Sequence, residues 1–455
     1  MTFNSICFLF AFLPIVLAGY YLLPLRFKKL FLVLAGFVFY AWGSPRNLII
    51  LLVSIVFHYI AGLEFSRLDA YSDARARKIV LISTVAADLF LLGFFKYATD
   101  SLPLGISFYT FTVLSYLFDV YRGRAQAQRN LLSFMLYVSF FPKIISGPIV
   151  QYADMEEQLE GVHVRGDQIL HGAQMFLTGL LKKVLIADQL AKLFSMTAGG
   201  NEATTLAAWL GMIAYSLQLY FDFSGYSDMA IGLAQMFGFS FERNFDHPYL
   251  SASISEFWRR WHISLGNWFK QYVYFPLGGN RVPKERLLVN LLIVWALTGV
   301  WHGNTWNFVV WGLYHGAFVI LERFVIKDRL DGVPRALRVL VTDLVVFVGW
   351  VFFFSPSLGS AVHYIGRLAG IGTVAFTNAA AGFALGEYWL LIVIAFIGCG
   401  TLMQRVYRGF FYDNAFALGE RAMRTTTIVV TLLLFALAVA GIISNTYSTF
   451  LYVQF

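Results

Sequence analysis

The chain has 455 residues, of which 58% are hydrophobic and only 13% are charged. Soluble globular domains carry about 25% charged residues, so this composition excludes an ordinary soluble protein and predicts an integral membrane protein. The net charge of +8 comes from short basic clusters between apolar runs, which indicate membrane orientation rather than a nucleic-acid surface. Cys7 and Cys399 lie far apart in apolar segments, and no histidine or cysteine pair has ligand spacing, so we predict neither a disulfide framework nor a metal site.

Apolar runs recur along the whole chain, and about 20 such residues are needed for one bilayer crossing. The candidate spans are 3–23, 30–42, 47–63, 79–97, 104–120, 131–150, 206–221, 226–241, 287–301, 306–321, 338–354, 387–404 and 426–444. Several are too short to cross alone, notably 30–42 and the two runs that flank Phe223–Gly225, and such pieces are tolerated only when buried in protein or lining a wet cavity. The sequence predicts one all-α polytopic membrane domain over residues 1–455, with roughly 10 to 12 transmembrane helices plus re-entrant and interfacial pieces.

The positions of the basic clusters predict the orientation of the N-terminal half. Clusters at 26–29, 75–78 and 122–129 predict a cytoplasmic face, which places the uncharged N-terminus outside. Two long segments, 167–195 and 253–275, are amphipathic rather than uniformly apolar. The second mixes tryptophans with arginines and a lysine, which is typical of a helix that lies in the membrane interface and contacts lipid.

Polar side chains in the apolar stretch 219–232 are the first candidate functional feature. Asp222, Asp228 and Ser224 interrupt this stretch, and a charge at membrane depth costs about 3 kcal/mol, so it often marks a site. One interpretation is a broken helix that forms a cavity wall and orients a substrate. The other is a structural kink in which Asp222 pairs with Arg259 or Arg260.

A second candidate lies in FWRRWHISL, residues 257–265. Here His262 follows Trp258 by one helical turn, on the same predicted face. Arg259 and Arg260 could hold an anionic group such as the phosphates of a cofactor. Contact of both arginines with lipid headgroups is the competing interpretation.

The third candidate is the stretch LTGVWHGNTWNFVVWGLYHG, residues 297–316. It holds His302 between Trp301 and Gly303, in almost wholly apolar company, with Asn304 next along the chain. A neutral imidazole can take a proton from a hydroxyl and later return it, and exclusion of water strengthens its electrostatic contacts. The alternative is a packing histidine that is hydrogen-bonded between transmembrane helices.

The C-terminal sequence STFLYVQF is the fourth candidate. A terminal aromatic segment is usually an interfacial anchor, but the hydroxyl of Tyr452 could also carry an acyl group as a covalent nucleophile. Residues 445–455 are therefore expected either to anchor the chain or to reach into its interior.

Taken together, these tracts resemble the membrane-bound O-acyltransferase family, and in particular its bacterial branch that modifies exported or cell-wall polymers. The matching tracts are LPLGISFYTFTVLSYLFDVYRG (102–123), FPKIISGPIVQY (141–152), QLYFDFSGYSDMAIG (218–232), SISEFWRRWHISLGNWFKQYVYFPLGGNR (253–281), GVWHG (299–303) and FLYVQF (450–455). The combined spacing of RWHISL, LGGNR and WHG is highly specific. Two positions depart from the pattern of the family, namely Lys143 and Val453.

This resemblance implies a fold and a set of roles. It implies a ring of transmembrane helices around a thin central floor, with a catalytic tunnel open to both sides. His302 would be the general base and His262 the second histidine of the tunnel. From the residues themselves, we predict that the tunnel wall or the substrate-positioning groups include Asp222, Ser224, Asp228, Trp258, Arg259, Arg260, Trp301 and Asn304. Tyr452 would be the acyl relay.

The resemblance also implies a reaction and its setting. The donor would be a cytoplasmic thioester, acetyl-CoA first, and the enzyme would lie in the bacterial inner membrane with its N-terminus in the periplasm. An SGNH-hydrolase-like periplasmic partner would pass the acetyl group to an exported polysaccharide, with alginate the first expectation and peptidoglycan or cellulose the alternatives. A long-chain donor stays open, as does a polymer or lipid transporter without acyl transfer; the inverted repeats typical of many transporters are not visible.

Overall fold

The computed structural model describes residues 1–99, 102–161, 164–198, 204–326, 332–402, 405, 420–444 and 450–451. All regular secondary structure within these ranges is helical. The α-helices are α1 (Leu13–Leu22), α2 (Leu25–Ala41), α3 (Pro45–Ala70), α4 (Ala74–Tyr97), α5 (Ile106–Tyr121), α6 (Leu131–Ser139), α7 (Tyr152–Glu160), α8 (Gly166–Leu181), α9 (Asp188–Ala198), α10 (Thr205–Met236), α11 (Ile254–Arg260), α12 (Ile263–Phe269), α13 (Lys284–His302), α14 (Trp306–Leu321), α15 (Arg335–Phe354), α16 (Leu358–Leu368), α17 (Ala379–Gly398) and α18 (Glu420–Ser444).

The chain is a multi-pass membrane protein. Seven helices in the described residues are long and apolar enough to cross a bilayer: Pro45–Ala70, Ala74–Tyr97, Gly166–Ala198, Trp306–Ile326, Arg335–Phe354, Ala379–Gly398 and Thr425–Ser444. These helices expose large apolar side chains such as Leu432 and Leu433, as expected where the solvent is lipid. The all-α polytopic fold is confirmed, whereas the expected 10 to 12 crossings stay a prediction.

Helix α10 lies at the centre of the protein and is buried on every side. It begins after Thr204, whose Oγ accepts the N–H of Ala207 at 3.2 Å and so caps the helix. Gly225 and Gly232 of α10 face Gly179 and Gly172 of α8, and a Cβ on any of the four would overlap a backbone carbonyl oxygen of the opposite helix. The glycines therefore set the close approach of these two helices, as small residues do in membrane proteins.

The expected break of the helix at Phe223–Gly225 was wrong. Helix α10 runs unbroken through this point because the polar side chains that suggested a break form ion pairs with a neighbouring segment. Asp222 pairs with Lys183 and Asp228 with Lys182. Segment 167–195, which holds these two lysines, turns them towards α10 and belongs to the membrane-length helix Gly166–Ala198.

Two other predicted helices end earlier than expected. The span predicted over 131–150 stops at Ser139, and residues 140–150 are non-helical yet buried. The amphipathic segment 253–275 is also not one helix, because α11 ends at Arg260 and α12 begins at Ile263. Short apolar helices and buried irregular backbone therefore coexist in the interior, as the resemblance implied.

Helices α13 and α14 form an antiparallel hairpin that places His302 at its bend. Gly299 packs on the Phe308 carbonyl and Gly312 on the Trp295 carbonyl, with no room for a Cβ at either glycine. Gly303, directly after His302, leaves space that the ring of Phe308 fills. The end of α13 is thus held by backbone contact with α14.

Candidate functional site

His262 and His302 line the same cavity, which has a volume of about 310 Å³. The two histidines are 40 positions apart in the sequence: His262 lies directly before α12, and His302 is the last residue of α13. The remaining wall is largely apolar and aromatic and comprises Trp258, Trp261, Leu265, Gly266, Phe269, Lys270, Tyr274, Asn280, Leu291, Val294, Trp295, Thr298 and Arg323. A small, mostly apolar cavity with a few convergent polar groups is the usual form of a site for a small ligand.

His262 lies in the break between α11 and α12, with its backbone in the left-handed region at φ 47°. Such a conformation is costly for a residue with a Cβ, and it is found mainly where the surrounding structure enforces it. The enforcing residue is Asn244, whose carbonyl oxygen accepts the N–H of Ile263 at 2.9 Å. Its side-chain Oδ1 accepts the N–H of Ser264 at 3.1 Å and lies 3.2 Å from Nδ1 of His262.

This contact fixes the tautomer of His262. Oδ1 of Asn244 accepts from both Ser264 groups, and its Nδ2 donates to Ser227, so the amide orientation follows from the network. The proton of His262 is therefore on Nδ1, and Nε2 is the nitrogen with the lone pair.

His302 has the same tautomer for a different reason. Its Nδ1 lies 2.8 Å from the carbonyl oxygen of Thr298, one turn earlier in α13, and a carbonyl can only accept. Nε2 is again the basic nitrogen. The rings of Trp301 and Trp311 hold the imidazole from two sides, each with its centroid 4.7 Å away.

The end of α13 is also capped by α4, which sequence reasoning missed. Lys96 donates from Nζ to the carbonyl of Trp301, and Tyr97 donates from its hydroxyl to the carbonyl of Val300. These are orphan carbonyls of a helix C-terminus, and a cation there is favourable. The only signal in the sequence was a lysine at the end of an apolar run, which does not identify its partner.

Asn244 was also missed, because the sequence around it carries no distinctive pattern. Trp258 and Trp301 were expected near the site: Trp258 lines the cavity, and Trp301 stacks on Phe111 with ring centroids 5.2 Å apart. Trp258 shares the cavity with His262 although the helix breaks between them. Asn304 is exposed in the bend between α13 and α14.

The arginines and carboxylates of the sequence hypothesis do not line this cavity. Arg260 pairs with Glu256 at 2.7 Å, and Arg259 is exposed. The pairing of Asp222 with Arg259 or Arg260 was wrong, because α10 turns Asp222 towards α8 and not towards α11. Ser224 is fully buried within α10, outside the cavity wall.

Asp222 instead contacts the C-terminal part of the chain. Its Oδ2 accepts the backbone N–H of Leu451 at 2.8 Å, and the ring of Phe450 packs edge-on against Tyr226 with centroids 4.9 Å apart. Tyr452 and Val453 lie outside the described residues. Lys143 lies in the buried non-helical segment, with Nζ 4.2 Å from the ring centroid of Tyr137.

A second, more polar cavity of about 610 Å³ adjoins the first. Lys270 lines both cavities, and Ser264, which bonds to Asn244, lines the second. Its polar wall comprises Arg124, Gln151, Asp154, Gln158, Ser240, Glu242, Ser264, Asn267, Lys270 and Gln271. No group of His, Cys, Asp and Glu side chains suited to a metal ion is found among the described residues.

Comparison with known proteins adds independent information. The profile of MBOAT, the membrane-bound O-acyltransferase family, matches residues 90–329. The chain is 38% identical to a probable alginate O-acetylase of Azotobacter vinelandii over 100% of both chains, and 41% identical to one of Pseudomonas aeruginosa over 82% of this chain and 76% of that one. It is also 36% identical to a peptidoglycan O-acetyltransferase of Helicobacter pylori over 83% of this chain and 81% of that one.

Proposed function

Because the chain belongs to the membrane-bound O-acyltransferase family, and is thus a membrane O-acyltransferase, we propose that it transfers an acetyl group for O-acetylation of an exported polysaccharide. The donor is a cytoplasmic thioester, acetyl-CoA. Alginate is the favoured polymer because a relative that matches the whole chain is named a probable alginate O-acetylase. Peptidoglycan is the alternative because another relative is named a peptidoglycan O-acetyltransferase.

The proposal rests on one observation, that His262 and His302 line a single cavity. His302 acts as general base: Nε2 removes the proton of the accepting hydroxyl while the oxygen attacks the thioester carbonyl carbon. The carbon–sulfur bond then breaks, and the leaving thiolate takes the proton back from His302. The new product is an ester, the other product is the free thiol, and the imidazole returns to its starting state.

His262 positions the donor in this proposal. The proton of His262 is on Nδ1 and is directed to Asn244, so Nε2 can accept a hydrogen bond from a substrate. Stabilisation of the oxyanion by His262 would require a second proton on the ring. The tautomer therefore favours a role in which Nε2 accepts a hydrogen bond, either from an amide N–H of the acyl donor or from the hydroxyl that will be acylated.

The accepting hydroxyl is proposed to be that of Tyr452. Phe450 and Leu451, directly before it, are held against α10 in the interior of the protein, which supports an inward-directed segment rather than an interfacial anchor. The tyrosyl ester would be handed to an SGNH-hydrolase-like periplasmic partner with a Ser-His-Asp site, in an inner-membrane assembly whose N-terminus is periplasmic. Replacement Tyr452→Phe should abolish acetylation of the polymer while acetyl-CoA still binds; acetylation at the wild-type level would remove the relay.

The general-base assignment is tested by His302→Ala in the full-length protein. We expect transfer from acetyl-CoA to fall by about 10² to 10⁴-fold, the usual contribution of a general base, with insertion and thermal stability retained. His315→Gln is the matched control, because His315 is buried on α14 but does not line the cavity. Retained transfer in His302→Ala would refute the assignment, and a purified protein that never consumes acetyl-CoA would favour a transporter.

A further inference from the structure

A buried ion cluster joins the turn at 182–187, which follows α8, to α9 and α10, and none of its three residues lines either cavity. Nζ of Lys183 is 2.7 Å from Oδ1 of Asp222 and 2.8 Å from Oδ1 of Asp188. Asp222 and Lys183 are 1% and 2% exposed. One ammonium faces two carboxylates, so the cluster carries an excess of negative charge if all three groups are ionised, and an uncompensated charge is costly in such a place.

The C-terminal segment adds two contacts to this cluster, one to the carboxylate of Asp222 and one to the ammonium of Lys183. The backbone N–H of Leu451 donates to Oδ2 of Asp222 at 2.8 Å, so the two carboxylate oxygens serve different partners. The ring of Phe450 lies under the ammonium of Lys183, with its centroid 4.7 Å away, and is 1% exposed. A cation over a desolvated ring and a charge-assisted hydrogen bond are both stronger than their exposed counterparts.

We propose that Asp222 and Lys183 form a binding site for the C-terminal segment of the chain, which we name the tail clamp. The tail clamp recognises a main-chain N–H together with an aromatic side chain one residue earlier. Asp222 and Lys183 are positioning residues, since they act through the segment that they hold. That this segment carries an acyl acceptor rests on the proposed function; that it is held by the tail clamp does not.

The chain contains a matched control for the tail clamp. Lys182 and Asp228 join the same two segments, with Nζ 2.6 Å from Oδ2, but this pair is partly exposed, and within the described residues no hydrogen bond or ion pair joins it to 450–451. Replacement Asp228→Asn therefore removes a lysine–aspartate pair from the same helix interface without touching the tail clamp.

Hydrogen exchange of the Leu451 amide, measured by mass spectrometry on the full-length protein in nanodiscs, tests the proposal without an activity assay. Asp222→Asn keeps an acceptor oxygen but loses its charge, and Asp222→Leu removes the acceptor; both leave the Lys183–Asp188 pair. We expect exchange at Leu451 to accelerate modestly in Asp222→Asn and on the order of ten- to hundredfold in Asp222→Leu. Asp228→Asn should exchange as the wild type does.

The outcomes separate the tail clamp from the relay. Unchanged exchange at Leu451 in both Asp222 variants overturns the tail clamp, whatever happens to acetylation. Faster exchange with wild-type acetylation supports the tail clamp and shows that acetylation does not depend on it, while Tyr452→Phe decides the relay. Acceleration spread equally over peptides from α13 and α14 would show general loosening, and would also overturn the specific role; if Asp222→Leu fails to fold, Asp222→Asn decides.

Discussion

At the scale of single residues, Asn244 holds several residues of the candidate site by hydrogen bonds, although nothing in its place in the sequence indicates this. Its Oδ1 accepts hydrogen bonds from Nδ1 of His262, from the Ser264 N–H and, at 2.9 Å, from the Ser264 hydroxyl. Its Nδ2 donates to Ser227. Replacement Asn244→Ala removes the group that orients the imidazole and supports the left-handed turn. We expect transfer from acetyl-CoA to fall by about 100-fold, because small displacements of a catalytic group have effects of this size. Steady-state kinetics on purified protein measure it.

Asn244→Asp serves as the conservative counterpart. A carboxylate keeps the acceptor for His262 and Ser264 but loses the amide that donates to Ser227. Activity should therefore lie between that of the wild type and that of Asn244→Ala. If Asn244→Ala retained full activity, the orientation of His262 by Asn244 would be irrelevant to the reaction.

The sequence singles out His262 and His302 as candidates but not the residues that hold them. A histidine in apolar company, such as His302, is conspicuous in a linear string because burial of a polar ring needs a reason. Asn244 and Lys96 acquire their meaning only from a partner elsewhere: Lys96 bonds to a carbonyl 205 positions further along the chain. No local pattern encodes such a contact.

At the scale of helices, the bend between α13 and α14 depends on backbone contact at glycines. A Cβ at Gly312 would overlap the carbonyl oxygen of Trp295 and would approach the Gly299 nitrogen at 3.1 Å. Neither neighbour is a flexible side-chain end, so Gly312→Ala should force the helices apart. We expect a loss of about 1–3 kcal/mol in stability, the usual cost of overpacking, together with reduced transfer, because His302 ends α13. Thermal unfolding and acetyl transfer measure the two effects.

Gly93→Ala is the control for this prediction. Gly93 lies inside α4, where an added Cβ would meet no atom within 4 Å. Alanine should there stabilise the helix by about 0.5–1 kcal/mol through its higher helix propensity. A Gly312→Ala variant as stable and active as Gly93→Ala would contradict the packing role.

The limits of sequence reasoning at this scale have one cause. Apolar runs predict that helices exist, but the lateral partner of a polar residue decides whether a helix continues. Asp222 suggested a break and is instead paired with Lys183, so α10 continues. Residues 140–150 look like part of a helix by hydropathy, yet they are irregular, which is tolerated because the interior of the protein, rather than lipid, surrounds them.

At the scale of the whole molecule, the two cavities form adjoining spaces divided by the turn at His262. His262 lines the first cavity and Ser264 the second, and Asn244 binds both residues, while Lys270 borders both spaces. An acyltransferase that joins a donor and an acceptor from opposite sides needs space on both sides of the reacting groups. The resemblance predicts a tunnel in general terms, whereas the turn at His262 between the two cavities is seen only in the folded chain.

Filling the first cavity without disturbing its walls tests whether the reaction passes through it. Gly266 lines this cavity on α12, and a Cβ there would have only the Trp258 carbonyl oxygen nearby, at 3.8 Å. Gly266→Leu should therefore project four carbons into about 310 Å³ of space and leave the fold intact, since leucine is also the better helix former. We expect acetyl transfer to fall at least about tenfold, with Gly266→Ala intermediate, because misplacement of reacting groups by 1 Å already costs about 100-fold.

The control for this blockade is Gly382→Leu on α17, where an added Cβ meets nothing within 4 Å and the residue lines neither of the two cavities. Both leucine variants should unfold at the wild-type temperature, so that a difference in acetyl transfer between them reports access to the site rather than stability. Equal activity of the two variants would mean that donor and acceptor meet elsewhere. His262 and His302 would then share a cavity that the reaction does not use, because a blocked space cannot hold the thioester beside either imidazole.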